Sequence, residues 1–196
     1  QVYYFIKTNF FFGKKMVIIP NGIDTDFFKP SLSLRQKMRK KLGISKHKKV
    51  IIFAARIDPM KAHERVLDIA SMCSDILFLM AGKGTNEINV PKNVIALGIC
   101  NDMPSLYNSA DMMLHLSNYG EGFPNVVGEA MSCGLPVLAN DIGDSKGIIG
   151  DTGQIVNKEN SKKIENKIRF MLQNKTLSKN KLNIRKRIIS NFSISR

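Results

Sequence analysis

Tryptophan is absent from these 196 residues, and cysteine and histidine occur only three times each. Cys73, Cys100 and Cys133 are far apart, odd in number, set in apolar stretches and without a C-x-x-C pair. That pattern excludes a disulfide framework and points to buried, reduced thiols of the kind the cytosol maintains. His47, His63 and His115 are scattered, with no H-x-x-x-H spacing to hold a metal, and His115 reads as a satisfied histidine buried in a strand. No run of about 18 apolar residues occurs, so no membrane-spanning helix is expected. Gln1 to Phe12 is apolar and aromatic but lacks the basic start and small-residue cleavage site of a signal peptide. Without a starting Met, it reads as an internal segment, the end of a preceding domain or a hinge.

Acidic residues are also scarce: 16 Asp and Glu stand against 30 Lys and Arg, a net charge of +14. Such an excess favours an anionic partner, whether nucleic acid, an acidic membrane face or a phosphorylated small molecule. Most of the cations fall in Arg35–Lys49 and Lys158–Arg187, where they read as the solvated faces of amphipathic helices.

What is abundant is alternation. Short apolar runs at Val50–Ala54, Ile76–Met80, Val94–Leu97, Met112–Leu116, Pro136–Ala139 and Gln154–Val156 are separated by helical patterns. This is the signature of repeated βαβ units, and it predicts an α/β fold, a Rossmann-like, doubly wound parallel sheet. A helix is expected from Lys61 with Val66, Leu67, Ala70 and Cys73 on one face, and another after Pro104. A third carries Val126, Val127, Ala130 and Met131 and stops at Gly134; a fourth carries Ile164, Ile168 and Met171. Leu34, Met38 and Leu42, ended by Gly43, predict an extra helix in front, and Lys179–Ser190 a basic one behind.

Doubly wound sheets bind ligands beyond the carboxyl ends of their strands, so the loops there carry the candidates. After the first strand, Arg56 and Lys61 bracket a helix start and suit a diphosphate, although pairing with Asp58 or Glu64 would explain them equally well. After the fourth, Glu121-Gly122-Phe123-Pro124-Asn125-Val126 leads into a helix, with Glu121 before it and Glu129 about two turns inside. Ionised carboxylates there can accept from vicinal sugar hydroxyls, while Gly122 permits close backbone approach. Gly143–Gly147 could wall such a pocket. Gly82-Lys83-Gly84 lacks the layout of a Walker loop, and no dinucleotide fingerprint follows the first strand.

Taken together, these motifs resemble the C-terminal domain of GT-B-fold, family-four retaining glycosyltransferases from Ile18 to Ser193. Val17–Asp24 with Phe28 and Pro30 looks like the family's interdomain segment. Arg56 and Lys61 match its R-x-x-x-x-K motif, Glu121 and Glu129 its E-x7-E motif, and Ala130–Val137 continues as the family does. The resemblance implies that Arg56 and Lys61 bind the diphosphate of a UDP- or GDP-sugar and offset charge on the leaving group, with Glu121 counted beside them as catalytic. Glu121, with Gly122, Phe123, Asn125 and Val126, would hold the donor sugar, Glu129 the ribose, and Gly98 and Ile99 the base.

No metal or other cofactor is implied. One departure is Ala62, where the family usually has Gly. On this reading 1–16 ends an N-terminal domain or hinge, 17–178 is the nucleotide-sugar-binding domain and 179–196 a truncated basic helix. The missing N-terminal domain would then be a partner, and an anionic membrane surface another. The expected setting is cytoplasmic, peripheral on the inner face of the cytoplasmic membrane, with polysaccharide or lipopolysaccharide synthesis as the context. A basic module for nucleic acid or membrane and a GT-B epimerase remain alternatives, although no aromatic and basic interleaving supports nucleic acid as a partner.

Overall fold

A computed structural model of the chain describes residues 20–157, 159–174 and 180–194. The apolar runs become strands β1 Val50–Ala54, β2 Leu77–Ala81, β3 Val94–Gly98, β4 Met112–His115, β5 Val137–Asn140 and β6 Gln154–Val156. They form one six-stranded sheet in the order β3-β2-β1-β4-β5-β6, and every pairing is parallel. Helices α1 Leu32–Lys41, α2 His63–Met72, α3 Met103–Ser109, α4 Asn125–Ser132, α5 Ser145–Ile149, α6 Ser161–Gln173 and α7 Lys181–Phe192 cover it.

Both faces of the sheet are buried, which is why its strands are continuously apolar rather than alternating. Val50, Ile52 and Ala54 of β1 point into one core with Met38, Leu106, Val127, Ile149, Ile184 and Ile188, under α1, α3, α4, α5 and α7. Ile51 and Phe53 point the other way, to Val66, Ile69, Ile164, Ile168 and Met171 of α2 and α6. The chain reverses its winding at β1, which pairs with both β2 and β4. A cleft opens beyond the carboxyl ends of β1 and β2 against α3 and α4, and beside it the loops after β1 and β4 meet through Lys61 and Glu121.

Several expectations shift. The helix expected from Lys61 begins at His63, because Asp58 caps a separate short turn, Pro59–Lys61, by accepting from Met60 N. Gly143–Gly147 is not a plain loop: α5 starts at Ser145, and Ile148 and Ile149 are buried beneath it. One and a half turns leave too few positions for a period to show. The basic stretches do not simply face water. On α1, Arg35 Nη1 donates to the carbonyls of Asn108, Ser109 and Ala110 while Nη2 pairs with Asp111 at 2.7 Å, capping the end of α3. Arg39 is only 5% exposed.

On α7, Arg185 donates to Thr25 O, Phe28 O and Ser132 O, and Arg187 to Ile148 O and Gly147 O. A planar guanidinium with five donors reaches several carbonyls at once, which an ammonium cannot do as well. The lysines of the same helices, Lys37, Lys40 and Lys186 among them, are the exposed ones. Cys73 and Cys133 are buried free thiols, as expected, but Cys100 is only half-buried.

The segment before α1 is tied to the end of α7. Ile23 N donates to Phe192 O at 2.7 Å, Ile194 N to Ile23 O at 3.1 Å, and Thr25 Oγ1 lies 3.0 Å from Ser193 Oγ. The domain boundaries read at 16/17 and 178/179, like Gln1–Phe12 and the Val17–Ile19 part of the interdomain segment, lie outside the described residues.

Candidate active site

Ladder bonds continue past the end of β1, from Ala55 N to Ala81 O at 2.8 Å and from Ile57 N to Lys83 O at 2.9 Å. They fix Arg56 at the rim of the sheet, where its guanidinium is 63% exposed and pairs with Asp58 at 2.9 Å. An exposed pair of this kind is weak and readily exchanged for a better anion. Close approach of the two strand ends requires Gly82, since a Cβ there would collide with the Ala55 carbonyl. Ala62 joins the short turn to α2 in the left-handed region, φ 57°, a conformation that suits the glycine usual at this position. His63 packs edge-on against Phe53 at 5.0 Å, with Nε2 3.4 Å from Ala55 O, and braces the same turn. Burial holds its pKa below the ordinary value.

Lys61 does not point freely into the cleft. It forms an ion pair with Glu121, 60 residues away, in which both side chains are largely buried. Ser117 Oγ donates to the same carboxylate oxygen, Oε1, at 2.5 Å. Asn140 of β5 holds the Ser117 loop by donating to Leu116 O and Ser117 O, both at 3.0 Å. Burial pushes the Glu121 pKa up, but the Lys61 ammonium and the Ser117 hydroxyl outweigh it and keep the carboxyl below its usual range. The loop after β5 buttresses Glu121 from behind, with Asp144 N on Gly122 O at 2.9 Å and Gly143 too close for any Cβ. Gly122 itself faces open space.

His115 departs from expectation. It is 3% exposed, yet its Nε2 has no hydrogen-bond partner and lies 3.6 Å from Glu121 Oε1. It is not the satisfied core histidine its strand position suggested. Burial drives its pKa down to about 4, so the ring is neutral at physiological pH.

Glu129 is a little over one turn inside α4 rather than two, because the helix starts only at Asn125. The hydroxyl of Tyr107, a ring buried completely, donates to Glu129 Oε2 at 2.8 Å. Burial raises the Glu129 pKa and that hydroxyl partly opposes the rise. Arg56, Ile99, Val126 and Glu129 line one cleft of about 350 Å³ together with Gly82, Lys83, Cys100, Met103 and Tyr107.

Gly98 lies at the end of β3 beside it, with φ 66°, its carbonyl accepting from Gly82 N at 2.7 Å. Ile99 is 71% exposed on the rim. Lys61, Glu121 and Gly122 lie outside that cleft's lining, and so do Phe123, which packs edge-on against Phe192 at 5.5 Å, and Asn125, which accepts from Asn21 Nδ2 at 3.1 Å. Tyr107 and Ser117 escaped the sequence reading, and Lys83 enters it only as part of a Walker loop that is set aside. Only their place at strand ends or on an inward helix face could have signalled them.

The family model for glycosyl transferases group 1 matches residues 35–191. The chain belongs to that family. A curated Escherichia coli relative, UDP-Gal:alpha-D-GlcNAc-diphosphoundecaprenol alpha-1,3-galactosyltransferase, is 24% identical over 198 residues, covering 92% of this chain and 51% of its own length. HepE from Anabaena, solved in complex with UDP-glucose, superposes with a TM-score of 0.81 at 23% identity, over 90% of this chain and 53% of HepE. The C-terminal domain of the group 1 protein LpcC from Francisella tularensis superposes with a TM-score of 0.73 at 23% identity, over 89% of this chain and 100% of that one. The doubly wound sheet is thus the fold seen in other group 1 glycosyl transferases. The chain spans about half the length of the Escherichia coli galactosyltransferase.

Proposed function

We propose that this chain is the donor-binding half of a retaining glycosyltransferase, which takes up a UDP- or GDP-sugar in the cleft beyond β1 and β2 and along the loop after β4 beside it. The observation that carries the reading is the Glu129 carboxylate, held by a buried Tyr107 in the same cleft as Arg56. A carboxylate with one oxygen anchored and the other available is suited to a ribose diol, and a weakly paired guanidinium at the opposite wall to a diphosphate. Lys61 would add a second cation, and both would stabilise charge growing on the departing nucleoside diphosphate. Gly98 and Ile99 would flank the base. Glu121 Oε2 and the open backbone at Gly122 would receive the sugar hydroxyls, with Phe123, Asn125 and Val126 forming the turn that presents them.

In the full enzyme, with a further N-terminal domain supplying the acceptor site, a hexose would pass to a saccharide or lipid-linked acceptor with its anomeric configuration retained. Bacterial lipopolysaccharide or capsule assembly is the context we favour. The reading needs no divalent metal, so donor affinity should be the same with EDTA as with magnesium. It places the protein in the cytoplasm, peripheral on the inner membrane face, where a charge of +14 favours anionic lipid; co-sedimentation with anionic and neutral vesicles tests that part.

The deciding experiment is calorimetric titration with UDP, GDP and their hexose and N-acetylhexosamine conjugates, for the unaltered protein and Glu129→Ala. Binding of one nucleotide, weakened at least tenfold in the variant, is the expected result. Salt-sensitive binding of nucleic acid with no nucleotide binding would favour the basic-module alternative.

A further inference from the structure

Three donors converge on a single oxygen of Glu121. Lys61 and Ser117 reach Oε1, His115 Nε2 lies 3.6 Å from it, too far to bond, and no described hydrogen bond reaches Oε2. His115 is thereby left as a buried ring with an unused nitrogen facing a carboxylate that already has its cation. We infer that His115 is a positioning residue that takes over Glu121 when a diphosphate draws Lys61 away. The inference rests on the donor-site reading above and concerns its diphosphate- and sugar-binding residues, Lys61 and Glu121.

As the site stands, Lys61 is committed to Glu121 and His115 Nε2 goes without, as do Asn140 Oδ1 and His63 Nδ1 on the neighbouring elements. An anion bearing two charges competes with a single carboxylate for the ammonium. If Lys61 turned to it, Glu121 would keep only the Ser117 hydroxyl, an under-paired buried charge of the kind proteins avoid. Shortening the His115 contact from 3.6 Å to an ordinary N–H···O distance needs a shift of about 0.7 Å.

That one movement would satisfy both orphaned groups and hold Glu121 ionised and aimed while the lysine serves the phosphate. The ring need not gain a proton, because the neutral tautomer with hydrogen on Nε2 donates equally to the carboxylate. The other charged groups at this point are Lys61 and Glu121 themselves. Asn140, which grips the backbone of Leu116 and Ser117, keeps the pivot fixed while side chains exchange.

The test compares UDP with UMP, which lacks the second phosphate that would reach Lys61, in the unaltered chain, His115→Phe and His115→Gln. Expected is about a tenfold weaker UDP affinity in His115→Phe, with UMP affinity within about twofold and most of the loss recovered in His115→Gln, which retains an N–H donor. Nitrogen-15 NMR of the unaltered protein provides a readout independent of whether a variant folds: UDP, not UMP, should bring up a downfield N–H proton on His115 Nε2. Equal loss of UDP and UMP in His115→Phe, or a histidine signal unmoved by saturating UDP, overturns the exchange and leaves the donor site standing. Failure of the unaltered chain to bind UDP or GDP overturns the donor-site reading and the exchange with it.

Discussion

Replacing Lys61 by Met keeps most of the side-chain volume and removes only the charge. Glu121 is then left 8% exposed and faced only by neutral donors, the Ser117 hydroxyl and the His115 ring as it closes its 3.6 Å gap. Removing one partner of a buried pair costs about 3–5 kcal/mol; with Ser117 still donating, the lower end, about 3 kcal/mol, applies. For a domain of this size that corresponds to a fall in Tm of roughly 6–12 °C.

The pH dependence is the sharper signature. In the unaltered protein the Glu121 pKa lies below its ordinary 4.5, so the pair's contribution is complete above that value and is lost as pH falls through the folded pKa. Without Lys61, burial prevails and the folded pKa moves above the ordinary value. The variant therefore gains stability as pH falls through that raised pKa. Urea denaturation of both proteins between about pH 4 and pH 8 should show a stability gap that is widest at the alkaline end and closes toward the acid end. A gap independent of pH would refute the view that Lys61 neutralises a buried carboxylate.

Tyr107→Phe should cost about 1.5–3 kcal/mol in nucleotide binding free energy, read by calorimetry, because it removes a hydroxyl that donates to an ionised carboxylate. Arg185→Lys should lower urea stability by about 2 kcal/mol with UDP affinity unchanged, since an ammonium cannot serve Thr25 O, Phe28 O and Ser132 O together. Gly82→Ala should destabilise by more than about 3 kcal/mol by the same assay, as its φ of 146° and the Ala55 carbonyl both oppose a side chain.

The sheet was legible because burial on both faces leaves each strand uniformly apolar, and Val50–Ala54 and Gln154–Val156 occupy the residues the pattern marked. Helix faces followed from Ile164, Ile168 and Met171. What escaped was whatever depends on distant residues meeting. Nothing local to Lys61 announces Glu121, and nothing near Tyr107 announces Glu129. The arginines of α1 and α7 looked like solvent-facing charge because a run of cations reads the same whether its members reach water or the carbonyls at another helix's end. His115 was placed correctly in its strand, but its missing partner could be seen only in three dimensions.

The junction of Ile23 with Ser193 has a mechanical meaning. The two segments run parallel, so the chain before Ile23 and the chain after Ser193 leave in opposite directions from one small clasp. A pull along the polypeptide would load its two backbone bonds in shear, together, instead of peeling strands from the sheet one by one. Force transmitted through this half would pass along one flank, beside Phe192, and reach the Glu121–Val126 turn through the Phe192–Phe123 contact and the Asn21–Asn125 bond.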